Sequence, residues 1–178
     1  MSSSETPDTL SRLERLTLVN QFKILAALHP DEAEDYKDLT TIFERGYASL
    51  YSKAFQSMSS EVTKEISKEV FDILSMHRTL FDSVQRLEDK GDLEKRIKFF
   101  GFDANNESEH LSFATFFTKD GRTFEESKVF NSHMPTLERY RRMLKVWRGQ
   151  GPAEKNLTKA EVEAILQAGT FNNVQTTV

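Results

Sequence analysis

The chain has 178 residues, a net charge of −4 and a hydrophobic fraction of 38%, a length at which folding buries roughly 70% of the surface the unfolded chain exposes. It contains no cysteine, which excludes disulfides, thiolate metal sites and cysteine nucleophiles. No apolar run approaches the roughly 20 residues that span a bilayer, and the start Met1-Ser2-Ser3-Ser4-Glu5-Thr6-Pro7 lacks the charged and apolar regions of a signal peptide, so a cytoplasmic protein with no membrane partner is expected.

Residues 1–9, polar and rich in Ser and Thr, read as a disordered tail. Ser11 with Glu14 has the spacing of a capping box, and the helix it opens carries Leu13, Leu16, Val19, Phe22, Leu25 and Leu28 until His29-Pro30 ends it. Pro30 suits the first turn of a second helix, whose positive end is matched by the acids from Asp31 to Asp35. Ala33, Tyr36, Leu39, Ile42 and Phe43 form its inward stripe. Gly46 caps or kinks it, and Tyr47, Leu50, Tyr51, Ala54 and Phe55 extend the helical spacing to about Ser57.

The clearest pattern follows. Val62, Ile66, Val70, Ile73, His77, Leu80, Val84 and Leu87 recur at alternating steps of three and four, predicting one long central helix over about 60–89 whose apolar side faces a wide core or a second subunit. Lys90-Gly91 stops it. Asp92 then offers a cap for a short helix to Phe99 or Phe100, and Asn106 with Glu109 offers one for a helix to about Thr118. Asp120-Gly121 is a turn, and residues 121–134 are ambiguous, since Thr123-Phe124 and Val129-Phe130 fit either short strands or core plugs. A helix with Leu137, Tyr140, Leu144 and Trp147 follows Pro135, and a second capping box, Thr158 with Glu161, opens a last helix closed by Gly169. The sum is an all-α, multihelical single domain of about 6–8 helices, residues 10–169, with a tail at 170–178.

Four blocks carry a likeness to a known family: Asn20-Gln21-Phe22-Lys23, Ile42-Phe43-Glu44-Arg45-Gly46-Tyr47, Phe100-Gly101-Phe102-Asp103, and Tyr140-Arg141-Arg142-Met143-Leu144-Lys145-Val146-Trp147. In this order they resemble the YfbU family, from about Leu13 to Leu166. The resemblance implies an all-helical bacterial domain, joined in some relatives to a helix-turn-helix DNA-binding domain, and with that association a small-ligand-binding role. It assigns no reaction. Residues 1–10 are too few for a helix-turn-helix, which predicts the bare domain.

Candidate chemistry is sparse. Glu107 and His110 form a Glu-x-x-His pair of the kind di-iron bundles use, but no second such pair occurs, and neither a zinc motif nor a complete calcium loop is present. Gly-rich phosphate loops and nucleophile elbows are also missing. No metal and no cofactor is therefore expected. His77, on the apolar stripe of the long helix, reads first as a core imidazole, with a binding role open to it.

Charge gives the best binding candidate. Residues 1–58 carry −3, 59–105 carry −2 and 106–178 carry +1, and within the last segment 135–159 holds seven basic residues against two acidic ones. On a helix Arg141, Lys145 and Arg148 share one side, expected either to pair with the acidic surface from Asp31 to Asp38 or to hold a small anionic ligand. Glu44, Arg45 and Tyr47 beside Gly46 suggest an ion pair, a cap or a pocket wall. The tail Gln175-Thr176-Thr177-Val178 has the form of a carboxylate peptide for a PDZ-type edge.

These readings favour a non-catalytic ligand-binding or protein-interaction module that self-associates as a dimer or larger, with Arg45, Tyr47, His77, Arg141, Lys145 and Arg148 as candidate binding residues. A metal-independent enzyme is the alternative. A nucleic-acid-associated regulator is the second, disfavoured by the absence of a sustained positive field.

Overall fold

The computed structural model describes residues 7–119, 130–151 and 155–170. Among these the fold is all-α, and the extended pairing consists of an isolated parallel bridge between Phe102 and Asn131. The chain forms two compact units that meet in sequence at Glu61 and Val62. Expectations for residues 1–6, for Thr123-Phe124 and Val129, and for the C-terminal tail from residue 171, with its PDZ-like end, lie outside the described residues.

The first unit is a helical hairpin. Helix α1 (Arg12–Leu28) starts at the Ser11–Glu14 capping box: Ser11 Oγ accepts from the Glu14 N–H, and Glu14 Oε2 accepts from the Ser11 N–H at 2.8 Å. Pro30 opens a single 3₁₀ turn, Pro30–Glu32, and helix α2 (Ala33–Arg45) follows. Gly46 ends α2 at φ 70°, a left-handed conformation that glycine adopts without strain. The stretch Ala48–Phe55 keeps helical spacing but winds as 3₁₀ rather than α, packing Tyr51 on Phe43 with ring centroids 4.8 Å apart. Val19, Ile42, Phe43 and Tyr51 are the unit's buried core.

The second unit is organised around helix α3 (Lys64–Gln85), capped by Thr63, whose side chain accepts from the Ile66 N–H. The helix is unbroken but shorter than its apolar stripe, because Val62 and Leu87 lie just outside it. The stripe itself is consumed within the unit: Val70, Ile73, Leu74, Met76, His77, Leu80 and Val84 are buried. They share one core with Phe99, Phe102, Tyr140, Leu144, Trp147, Val162 and Ile165. The remaining elements are α4 (Leu93–Arg96), α5 (Ser108–Thr118), α6 (Leu137–Arg148) and α7 (Lys159–Ala168). Helix α7 begins at the Thr158–Glu161 box. The expected helix from Asp92 to Phe99 shrinks to one turn, α4, with no side-chain cap from Asp92. No helix among the described residues is long and apolar enough to cross a membrane.

One expectation is corrected here. Asn106 and Glu109 do not cap α5; the cap position is Glu107, and its side chain turns away to serve α6 instead. The buried Glu107 carboxylate accepts from the N–H groups of Asp103 (2.9 Å), Thr136 (2.7 Å) and Leu137 (2.8 Å). It thereby satisfies the free amides at the start of α6 that no local side chain reaches. Asn106 reaches Asp103. Tight packing completes this corner: a Cβ on Gly101, at φ +79°, would lie 1.8 Å from the Phe130 carbonyl oxygen.

Candidate functional site

Three places gather polar side chains, and they differ in what those side chains are free to do. The first is a core position. His77 is 4% exposed and wedged between Phe99 and Tyr140, ring centroids 5.0 and 5.2 Å away. Its Nδ1 lies 3.3 Å from the Ile97 carbonyl, while its Nε2 is buried without a partner among the described residues. Burial drives its pKa down to about 4, and nearby Arg139 pushes the same way. A neutral imidazole sealed among rings is a packing residue with one unanswered nitrogen.

The second is an ionic seam between α3 and α6. Arg141 grips Glu69 with two parallel bonds, Nε to Oε1 at 2.8 Å and Nη2 to Oε2 at 2.9 Å, and also reaches Glu138. His110 Nε2 approaches the same carboxylate at 3.0 Å. The hydrogen bond from Arg141 is the main reason the Glu69 carboxyl sits below its ordinary pKa. Arg148 contacts Asp72 one turn along. Arg141 and Arg148 of the basic α6 face are thus engaged by acids of α3 within the second unit. Lys145 stays exposed, with no ion pair among the described residues. Glu107 and His110 diverge, one toward α6 and the other toward Glu69, and no group of three potential ligands for a metal occurs among the described residues.

The third place is open. In the first unit α1 and the end of α2 frame a cleft of about 570 Å³ lined by Arg12, Arg15, Lys23 and Arg45, with Glu44 as its acid. Leu16, Val19 and Phe43 give it apolar wall, and Asn20 adds an amide. The helix period builds it: positions 12, 15, 19 and 23 fall within one face of α1. Two of the cations are committed. Arg15 Nη1 donates to the Phe43 carbonyl at 3.2 Å, and Lys23 pairs with Glu44 at 2.7 Å. Gly46 admits the first of these, since a Cβ there would lie 2.6 Å from Arg15 Nη1. Arg12 and Arg45, both exposed, line the cleft without forming a salt bridge among the described residues.

A family model, the YfbU domain, matches residues 9–168. The chain belongs to the YfbU family. The match takes in both units, so the α1–α2 cleft and the α3–α6 seam are parts of one YfbU domain. Of the residues singled out from sequence, Arg45 lines the cleft, while Tyr47, half exposed after Gly46, is not among its walls. Arg141 and Arg148 belong to the seam, and His77 to the core. Arg12, Arg15 and Lys23 were not singled out, although their spacing at i, i+3 and i+11 on a capped helix is the signal that finds them.

Proposed function

We propose that this YfbU domain is a non-catalytic, cytoplasmic binding module, working as a self-associated assembly, that takes a small anionic molecule in the α1–α2 cleft. The observation behind this reading is the pair of arginines, Arg12 and Arg45, that form no salt bridge among the described residues and line a cleft large enough for a small metabolite. Guanidinium groups suit carboxylate and phosphate because their planar forks present parallel N–H donors. The apolar patch of Leu16, Val19 and Phe43 favours a ligand with some carbon skeleton over a bare ion. The enzyme and nucleic-acid alternatives have less behind them. His77 is enclosed, His110 is engaged by Glu69, and Arg141 and Arg148 are spent on α3.

Calorimetric titration of the full chain with citrate and with inorganic phosphate tests the cleft. Binding that weakens with added salt and is lost on joint Arg12→Ala and Arg45→Ala substitution is the expected result. Equal affinity in the doubly substituted chain, or no binding of either probe, overturns it.

A further inference from the structure

Charge is unevenly distributed along the α1–α2 cleft. On its lining face α1 carries, in order, Arg12, Arg15, Leu16, Val19, Asn20 and Lys23, about 16 Å from first to last at about 1.5 Å per residue. Three guanidinium groups gather at the end where α1 begins and α2 stops. Arg12 and Arg15 come from α1, and Arg45 precedes Gly46, whose Cβ site lies 2.6 Å from Arg15 Nη1. The bond from Arg15 to the Phe43 carbonyl leaves the arginine's charge in place, since a carbonyl carries none. Further along α1 the balance is different. Lys23 is held by Glu44 at 2.7 Å, so this part of the cleft presents a closed ion pair and the Asn20 amide. Leu16 and Val19 separate the two regions along the helix.

We infer, resting on the cleft reading proposed above, that the cleft selects organic anions with one charged head, and that Glu44 is the residue that discriminates against two-headed ones. A guanidinium fork holds a carboxylate or phosphate by parallel bonds, whereas an ammonium acts as a point charge, so the head is drawn to the arginine end. Leu16 and Val19 then line the path of the carbon chain. A second carboxylate at the far end of that chain meets Lys23, and Glu44 already occupies it. The newcomer must either displace Glu44 or stand beside its like charge, and both cost affinity. A neutral end meets no such cost, and the Asn20 amide offers it both a donor and an acceptor.

Titration of the full chain with two matched pairs, hexanoate against adipate and octanoate against suberate, followed by amide NMR shifts, tests this selectivity. In wild type each dicarboxylate is expected to bind no more than about twofold tighter than its monocarboxylate, the advantage that two equivalent ends confer. Glu44→Gln frees Lys23 and raises the relative affinity for the dicarboxylate by about threefold to fivefold, near the upper worth of one exposed ion pair. Both side chains are about half exposed, at 57% for Lys23 and 47% for Glu44, so the fold tolerates the change. A merely structural ion pair would leave the ratio where it was. A wild-type preference for dicarboxylates above about twofold, or a ratio unmoved by Glu44→Gln, overturns the selectivity. If none of the four acids binds while citrate or phosphate does, the selectivity falls and the cleft stands. If no probe binds, or if binding ignores joint Arg12→Ala and Arg45→Ala substitution, both fall.

Discussion

Arg141 and Glu69 lie 72 positions apart in sequence, yet guanidinium and carboxylate face each other as two parallel forks with both contacts under 3.0 Å. Arg141 is 47% exposed and Glu69 23%, so water and salt screen the pair and its net contribution is modest. Arg141→Ala is expected to lower stability by about 1 kcal/mol, above a typical surface pair because of the bidentate geometry. Lysine at this position should recover less than half of the loss, since an ammonium cannot reproduce the fork. Urea unfolding followed by circular dichroism measures both.

The buried imidazole makes stability depend on pH. His77 has its pKa lowered to about 4 in the fold, against about 6.5 in an unfolded chain. Above pH 6.5 both states are neutral and the histidine has no pH-linked effect. As pH falls from 6.5 toward 4 the unfolded chain takes up the proton first, and stability drops by an amount on the order of 3 kcal/mol before levelling off. Arg139 is the charged group close to His77 and opposes a proton on the imidazole. His77→Phe should flatten this slope between pH 7 and 5 while leaving the rest of the acid profile in place, as followed by thermal unfolding across that range.

Both capping boxes and the long helix were legible because each signal is local. Ser11 with Glu14 and Thr158 with Glu161 need only four residues in order, and the α3 stripe repeats on a short period. The helix ends at Thr63 and Arg86 depend on caps rather than on the stripe, which is why the apolar pattern overran them. Pairings between distant segments were not legible. The basic face of α6 was visible, but its partners Glu69 and Asp72 lie 72 and 76 positions away as scattered acids on α3, while the denser acidic run at Asp31–Asp38 drew the eye. The cleft needs Arg12 and Arg45 from separate helices, and only the hairpin brings them together.

Glu107→Gln should be among the most damaging small changes in the chain. The substitution keeps shape but turns one carboxylate oxygen into an NH₂ donor, facing amide N–H groups from Asp103, Thr136 and Leu137. A buried donor set against donors is expected to cost about 2–3 kcal/mol. A urea midpoint within error of wild type would contradict this account of the corner.

Gly101 is constrained by space as well as by its positive φ. With the Phe130 carbonyl oxygen 1.8 Å from the site of a Cβ, Gly101→Ala must displace backbone rather than a flexible side-chain end. A loss of at least about 2 kcal/mol is expected, together with disruption of the Phe102–Asn131 bridge. Backbone amide exchange would register it as loss of protection at Phe102 and Ser132, which hydrogen-bond across that bridge.

Glu107 also has a temporal meaning. It belongs to the threshold of one helix and supplies the missing start signal of another some 29 residues later. Helices α1 and α7 bring their own start signals and can begin winding as soon as their first turn exists. The first turn of α6 gains its cap only when Glu107 and Thr136 meet, a closure with its own entropic toll. The start of α6 is therefore held by tertiary structure, and anything that pulls the Glu107 corner apart strips that helix of its cap as well.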